Sequence, residues 1–249
     1  MVSVIRSLIA PPDIINLVTF DYGIKNSSVL LLSPGLNDTY LIRSSSQRWI
    51  LRIYRADWRT LSEISSEVQL LLHLMQSNVK ESYPVASLNG EYIKSVNAPE
   101  GVRYFVLFTY INGEQPDLTD VAVCRQYGSA AARFHAMADG FQDNTDRFSL
   151  DLEYLVNRSL GAISSLLDEN DHQLGYLIGL GQRLSANISN FDQSGLDQGW
   201  CHGDFHPENA RYHQSTITLF DFDFCGSGWR SYDLATVLWS LNSYGLQVK

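Results

Sequence analysis

Cysteine is scarce in this chain: Cys124, Cys201 and Cys225 are the only three. An odd number without framework spacing argues against a disulfide-stapled secreted scaffold and for a reducing compartment. Cys201 and Cys225 therefore read as small buried packing residues. Long apolar runs are missing as well. Nothing approaches the roughly 18 uninterrupted apolar residues of a membrane-crossing helix. Met1 to Pro12 holds one Arg, a broken apolar run and a Pro-Pro pair, which is not the layout of a secretory leader. Positive charge is in deficit, with 18 Lys+Arg against 27 Asp+Glu and a formal charge of −9. A protein that coats nucleic acid needs clustered cations to neutralise phosphates, so this balance argues against one. The expectation is a folded cytoplasmic protein with neither a nucleic-acid nor a membrane partner.

What is present is a composition of 45% hydrophobic and 18% charged residues, ordinary for a packed core, and a change of period along the chain. Ser28–Leu32, Thr39–Arg43 and Arg48–Tyr54 read as strands, separated by the turn at 33–38 and by the serines Ser44–Ser46. Leu61, Ile64, Val68, Leu71, Leu72 and Met75 then recur at helical spacing, which predicts a helix over Thr60–Gln76. Two more strand-like runs, Glu91–Val96 and Arg103–Phe108, precede a turn at Asn112-Gly113. Beyond Pro116 the apolar stripes have a helical period over Asp120–Met137, Asp151–Leu167, His172–Ile188 and Asp233–Leu241, interrupted by a β-like run at Thr216–Asp221. The prediction is an α+β, two-lobed plan: a β-rich N-lobe with one long helix over residues 1–110, and a mainly helical C-lobe over 111–249, with a hinge near Phe108–Asn112.

The chemistry concentrates between Trp200 and Phe224, WCHGDFHPENARYHQSTITLFDFDF. Asp204 precedes Asn209 by five residues, and Asp221 follows Asn209 by twelve across an expected β-hairpin. Phosphoryl transfer needs a carboxylate to take or orient the proton of an attacking hydroxyl. It also needs hard oxygen ligands to hold magnesium against nucleotide phosphates. Protein kinases order an Asp, an Asn five later and a second Asp in the same way.

HGDFHPEN, followed by FDFD and then SYDLA, resembles the aminoglycoside phosphotransferase and choline kinase superfamily, which includes type II homoserine kinases. The likeness runs from about Leu32 to Leu241. The family loop HGDxHxxN is matched at His202, Gly203, Asp204, His206 and Asn209. The resemblance implies a protein-kinase-like fold and a kinase that uses ATP or GTP with Mg2+ to phosphorylate a small-molecule hydroxyl. Asp204 would be the catalytic base. Asn209 and Asp221 would hold magnesium, and Asp223, at the family's second acidic position, would be a further metal residue. His202 would pin the loop, Asp233 in SYDLA would brace it from the following helix, and His206 either supports the loop or meets the phosphate. In the N-lobe, LRIY implies that Arg52 grips the nucleotide phosphates, where Lys is the commoner residue, with Glu67 pairing it. The hinge around Phe108 and Tyr110 would offer backbone groups to a purine.

Two other readings stand beside this one. A kinase-like nucleotide-binding protein without activity fits the Arg52 substitution. A metal-dependent hydrolase would use His202, Asp204 and His206 as ligands, leaving Asn209 and the Arg52–Glu67 pair unexplained. Asp151, Glu153, Asp168, Glu169 and Asp171 would either attract a cationic acceptor or simply form solvated helix ends. Only sixteen residues follow Asp233, where members of the resembled family usually continue through further helices. Apolar surface on the last helix is then expected to be uncovered, with a homodimer as one cover for it.

Overall fold

In the computed structural model the described residues are 4–77, 81–168, 171–191 and 194–243. The chain opens on α1 (Pro11–Tyr22), followed by β1 (Ser28–Pro34), β2 (Asn37–Arg43), β3 (Arg48–Tyr54), α2 (Leu61–Gln76), β4 (Lys94–Ala98), β5 (Gly101–Thr109) and α3 (Val121–Ala138). It continues through β6 (Ser149–Leu150) and a π-helical turn (Glu153–Asn157) leading into α4 (Arg158–Ser164). Then come α5 (His172–Ser189), β7 (Gln198–Cys201), the hairpin of β8 (Ala210–His213) and β9 (Thr216–Leu219), β10 (Gly226–Trp229) and α6 (Ser231–Ser243). By packing, these elements form two compact units: Met1–Asp146 with Pro207–Asp223, and Arg147–His206 with Phe224–Lys249.

The first unit is built on a five-stranded antiparallel sheet of order β1-β2-β3-β5-β4. Side chains alternate between its faces. Tyr40, Ile42, Leu51, Ile53, Phe105 and Leu107 point to one face and bury against Ile14 and Val18 of α1. The intervening residues, including Leu41, Ile50, Arg52 and Phe108, are left to the other face. Fully burying each such aliphatic side chain stabilises by about 1.5–3 kcal/mol, which fixes the register and so the face on which Arg52 lies. Helix α1 was not anticipated. Pro11 and Pro12 occupy the first turn, where a missing N–H costs nothing, and Gly23 ends the helix at φ 70.

Helix α2 follows the expected span, with Thr60 as its cap. The Thr60 hydroxyl accepts from the Glu63 N–H (3.2 Å) and the Glu63 carboxylate accepts from the Thr60 N–H (2.7 Å), a reciprocal capping box. Its buried face carries Ile64, Val68, Leu71 and Leu74, and also Glu67. Helix α3 is capped by Asp120, whose carboxylate accepts from Ala122 N–H at 2.7 Å. Gly113, at φ 125, lies where a Cβ would fall 2.5 Å from the Tyr212 carbonyl oxygen, so the chain beyond β5 can cross the β8–β9 hairpin only as glycine.

The second unit is less purely helical than the sequence suggested. It also holds a small three-stranded sheet of order β6-β10-β7. Its strands are two to four residues long, too short to show a period. The expected single helix over Asp151–Leu167 is a π-helical turn followed by α4, which ends at Ser164. Cys201 and Cys225 are buried and Cys124 is exposed. On α6, Leu234, Leu238 and Trp239 are exposed. Among the described residues no helix is long and apolar enough to cross a membrane.

Candidate functional site

In the first unit a cavity of about 380 Å³ opens on the sheet face opposite α1. Leu41, Ile50, Phe108 and Tyr110 give it apolar and aromatic walls, and Arg52, Glu67 and Asp221 supply its central charges. A volume of this order, with a few convergent polar groups in apolar walls, suits a small organic ligand. Arg43 and Arg211 also line it, and neither was singled out from the sequence.

Arg52 sits at the centre. Its Nη1 donates to Glu67 Oε1 at 2.5 Å, and its Nη2 is 2.9 Å from Asp221 Oδ1. Glu67 is fully buried on α2, far from the solvated helix carboxylate that its sequence context alone would suggest. The Tyr54 hydroxyl donates to Glu67 Oε2 at 2.8 Å, a partner that sequence reasoning missed. The signal was available, because Tyr54 stands two residues beyond Arg52 on one strand and therefore shares its face. Burial pulls the Arg52 guanidinium down, but Asp221 and Glu67 outweigh it and hold the group more firmly charged than usual.

The hairpin explains how residues twelve apart meet. Ala210 pairs with Leu219, and the Phe220 N–H donates to the Asn209 carbonyl at 3.0 Å, which returns the chain beside Asn209 just before Asp221. Asp221 has φ 66, a left-handed conformation that Asp tolerates better than most residues. Its side chain is 42% exposed, so it can take a ligand from solvent while touching Arg52. The Asn209 amide oxygen and the Asp221 carboxylate are hard oxygen donors of the type magnesium prefers, so this donor set fits that ion.

Asp223 has different surroundings. It is 2% exposed, and its carboxylate accepts from Trp58 Nε1–H at 2.8 Å and Arg59 Nε–H at 3.1 Å. Burial pushes its carboxyl up, but Arg59 and Arg52 more than offset this and keep it below the usual range. Asp223 thus ties down the turn that leads into α2. At the end of β5, the Thr109 N–H donates to the Tyr83 carbonyl and the Thr109 carbonyl accepts from the Ser82 hydroxyl, so both backbone groups of that residue are already engaged. Tyr110 lines the cavity with Arg48 4.1 Å above its ring.

In the second unit the segment after β7 carries Asp204. Asp233, fully buried at the start of α6, accepts from the His202 N–H (2.8 Å) through Oδ2 and from the Gly203 N–H (2.9 Å) through Oδ1. The Asp204 N–H donates to His202 Nδ1 at 3.3 Å, which places the neutral ring's proton on Nε2. Gly203 has φ 81, and a Cβ there would fall 2.0 Å from the Phe224 carbonyl oxygen. The loop is therefore pinned at two consecutive N–H groups and packed too closely for any side chain at the glycine. Asp204 itself keeps 39% of its side chain exposed, with His206 Nε2 3.3 Å from its Oδ2.

Among the described residues, no group of three His, Cys, Asp or Glu side chains could hold a metal, so His202, Asp204 and His206 do not form the ligand set of the hydrolase reading. Three of the acidic residues between Asp151 and Asp171 make local hydrogen bonds. Asp171 caps α5 through Gln173 N–H, Asp151 accepts from Tyr154 N–H, and Glu153 accepts from Asn157. Glu169 lies outside the described residues.

The sequence pattern of the phosphotransferase enzyme family (APH) matches residues 30–246, most of the chain. The chain belongs to that family. It is 36% identical over 242 residues to an uncharacterised protein from Deinococcus radiodurans, covering 97% of this chain and 70% of that one. It is 24% identical to the homoserine kinase of Phenylobacterium zucineum, across 89% of this chain and 66% of the relative. The chain thus spans about two thirds of the length of these relatives. Among solved structures, the amicoumacin kinase hAmiN in complex with AMP-PNP, Ca2+ and Ami shares the fold, with a TM-score of 0.81 at 20% identity over 96% of this chain and 71% of that one. The α+β, kinase-like architecture of the family is therefore the architecture of this chain.

Proposed function

We propose that the chain transfers the γ-phosphate of ATP or GTP to a hydroxyl of a small molecule. The observation that carries the reading is the cavity in which Arg52, paired to Glu67, also reaches Asp221, in a chain of the phosphotransferase enzyme family. In this reading the purine takes the apolar walls around Ile50, Phe108 and Tyr110, and the phosphates take Arg52. Arg keeps its charge at any working pH and can bond phosphate through two nitrogens, so it can replace the commoner Lys. Magnesium held by Asn209 and Asp221 would neutralise the phosphate oxygens. Asp223 is left to hold Trp58 and Arg59.

Asp204 is assigned the base. Its carboxylate takes the proton of the acceptor hydroxyl as that oxygen forms its bond to the γ-phosphorus. The bond between the γ-phosphorus and the bridging oxygen breaks, and the nucleoside diphosphate leaves. Pinning by Asp233 holds the loop still, and the exposure of Asp204 leaves it open to an acceptor. Residues 1–110 would serve the nucleotide, and 111–249 the chemistry and the acceptor. The relatives named for homoserine and amicoumacin support a small acceptor; they do not select one.

The test is a diphosphate-release screen with ATP and GTP, with and without magnesium, across amino alcohols, aminoglycosides and sugars. The expected result is magnesium-dependent release with at least one acceptor, lost in Asp204→Ala. Equal turnover in wild type and Asp204→Ala would remove the base assignment. Nucleotide binding without turnover for any acceptor would favour the inactive nucleotide-binding reading.

A further inference from the structure

A buried Arg beside a buried Glu ordinarily forms a two-pronged pair, each guanidinium nitrogen on its own carboxylate oxygen. That geometry would be a defect at this position, because both terminal nitrogens of Arg52 would be turned toward α2. The structure has a different arrangement. Glu67 Oε2 receives the Tyr54 hydroxyl at 2.8 Å, Oε1 receives Arg52 Nη1 at 2.5 Å, and Nη1 is also 3.5 Å from the Tyr54 oxygen. Arg52 Nη2 points instead to Asp221 Oδ1 at 2.9 Å, on the cavity wall.

We infer that Tyr54 is the positioning residue that lets an arginine do this work: by holding Glu67 Oε2, its hydroxyl keeps the Arg52–Glu67 contact single-pronged and directs Nη2 into the cavity. This rests on the proposed nucleotide reading and adds to it the reason that Arg52 retains a donor for phosphate. Tyr54 and Arg52 are two residues apart on β3, with side chains on the same face, so the hydroxyl and the guanidinium reach Glu67 together. Tyr54 is 1% exposed, and burial next to Glu67 raises its hydroxyl pKa well above the usual value, so it remains a donor at every working pH. A lysine at position 52 would need no such device. Its ammonium is a compact charge with three rotatable donors and has no fork to misdirect.

The inference makes a prediction that a purely structural role for Tyr54 does not. In Tyr54→Phe, Glu67 Oε2 loses the Tyr54 hydroxyl and Arg52 Nη2 turns to replace it. Calorimetry with Mg-ATP should then show affinity weakened by about tenfold or more, the loss of one charge-assisted hydrogen bond. The same change made in the Arg52→Lys background should alter affinity by less than about twofold, because no fork is released. Thermal unfolding of each variant checks that it is folded, and the double variant supplies the comparison if Tyr54→Phe is destabilised. Equal loss in the Arg and Lys backgrounds would overturn the inference, as would full Mg-ATP affinity in Tyr54→Phe. Failure of the wild type to bind nucleotide under any metal condition is a separate outcome, and it removes the nucleotide reading together with this one.

Discussion

Arg52, Glu67 and Asp223 of the first compact unit and Asp204 of the second are surrounded in opposite ways. In the first, Arg52, Glu67 and Asp223 are almost entirely buried, and each is held by several partners. In the second, Asp204 is left 39% exposed, and the burial falls one step away, on Asp233 and His202, which grip the loop and not Asp204 itself. Under the proposed function the contrast separates two tasks. A site that binds phosphate benefits from a charge fixed in place beforehand, whereas a base must meet an incoming hydroxyl and so has to stay accessible. It also separates two kinds of fragility. The carboxylates of the first unit share their neighbours, while the Asp204 loop has one carboxylate holding two consecutive N–H groups.

That difference can be broken most sharply at Asp233. Asp233→Asn keeps one acceptor oxygen and puts an NH2 group against the second N–H, so one buried backbone donor loses its partner. We expect a loss of about 2–4 kcal/mol in denaturant titration, with a larger fall in turnover than in nucleotide affinity. No change in stability would show that the loop does not depend on this side chain.

A smaller, pH-dependent effect should come from Glu81 in the first unit. It is 6% exposed and accepts from the Leu219 N–H at 2.8 Å, and burial raises its carboxyl well above the ordinary 4.5 despite that bond and Arg133. A raised folded value means that the folded state binds the proton more tightly than the unfolded chain. This contribution to stability is complete below the unfolded value and is lost as pH rises toward the folded one. Glu81→Gln keeps an acceptor for Leu219 and removes the charge. Its stability should therefore fall less steeply than that of the wild type as pH rises above the ordinary 4.5. Parallel curves for the two proteins would contradict the assignment. The smallest effect belongs to Thr60→Ala, which removes half of the capping box of α2 and should cost about 1 kcal/mol in thermal or denaturant unfolding, with Glu67 left in place.

Much of the fold was legible where local rules and packing agree. Helix α2 could be read from its apolar spacing and ends on the expected residue, and α3 begins at an Asp that caps it. The hairpin between Asn209 and Asp221 was legible because its turn and alternation are local. Helix α1 was hidden by the prolines in its first turn, and the small second sheet by the shortness of its strands. At the site, the sequence spacing and the family loop pointed to Asp204, Asn209 and Asp221. Contacts across long separations were not legible. Nothing in the order of residues says that Trp58 will bond Asp223, 165 positions later, or that Glu67 on a helix will be fully buried beneath a strand arginine. Those partners are set by packing, which a period along the chain does not encode.

The central claim is that the first unit binds the metal–nucleotide and the second supplies the base. Calorimetric titration of ATP, with and without magnesium, into wild type, Asp204→Ala and Asp221→Ala tests it most directly. The account predicts magnesium-enhanced binding in the wild type, the same affinity in Asp204→Ala, and loss of the magnesium enhancement in Asp221→Ala. Undiminished magnesium enhancement in Asp221→Ala, or loss of nucleotide affinity in Asp204→Ala equal to that in Asp221→Ala, would contradict it.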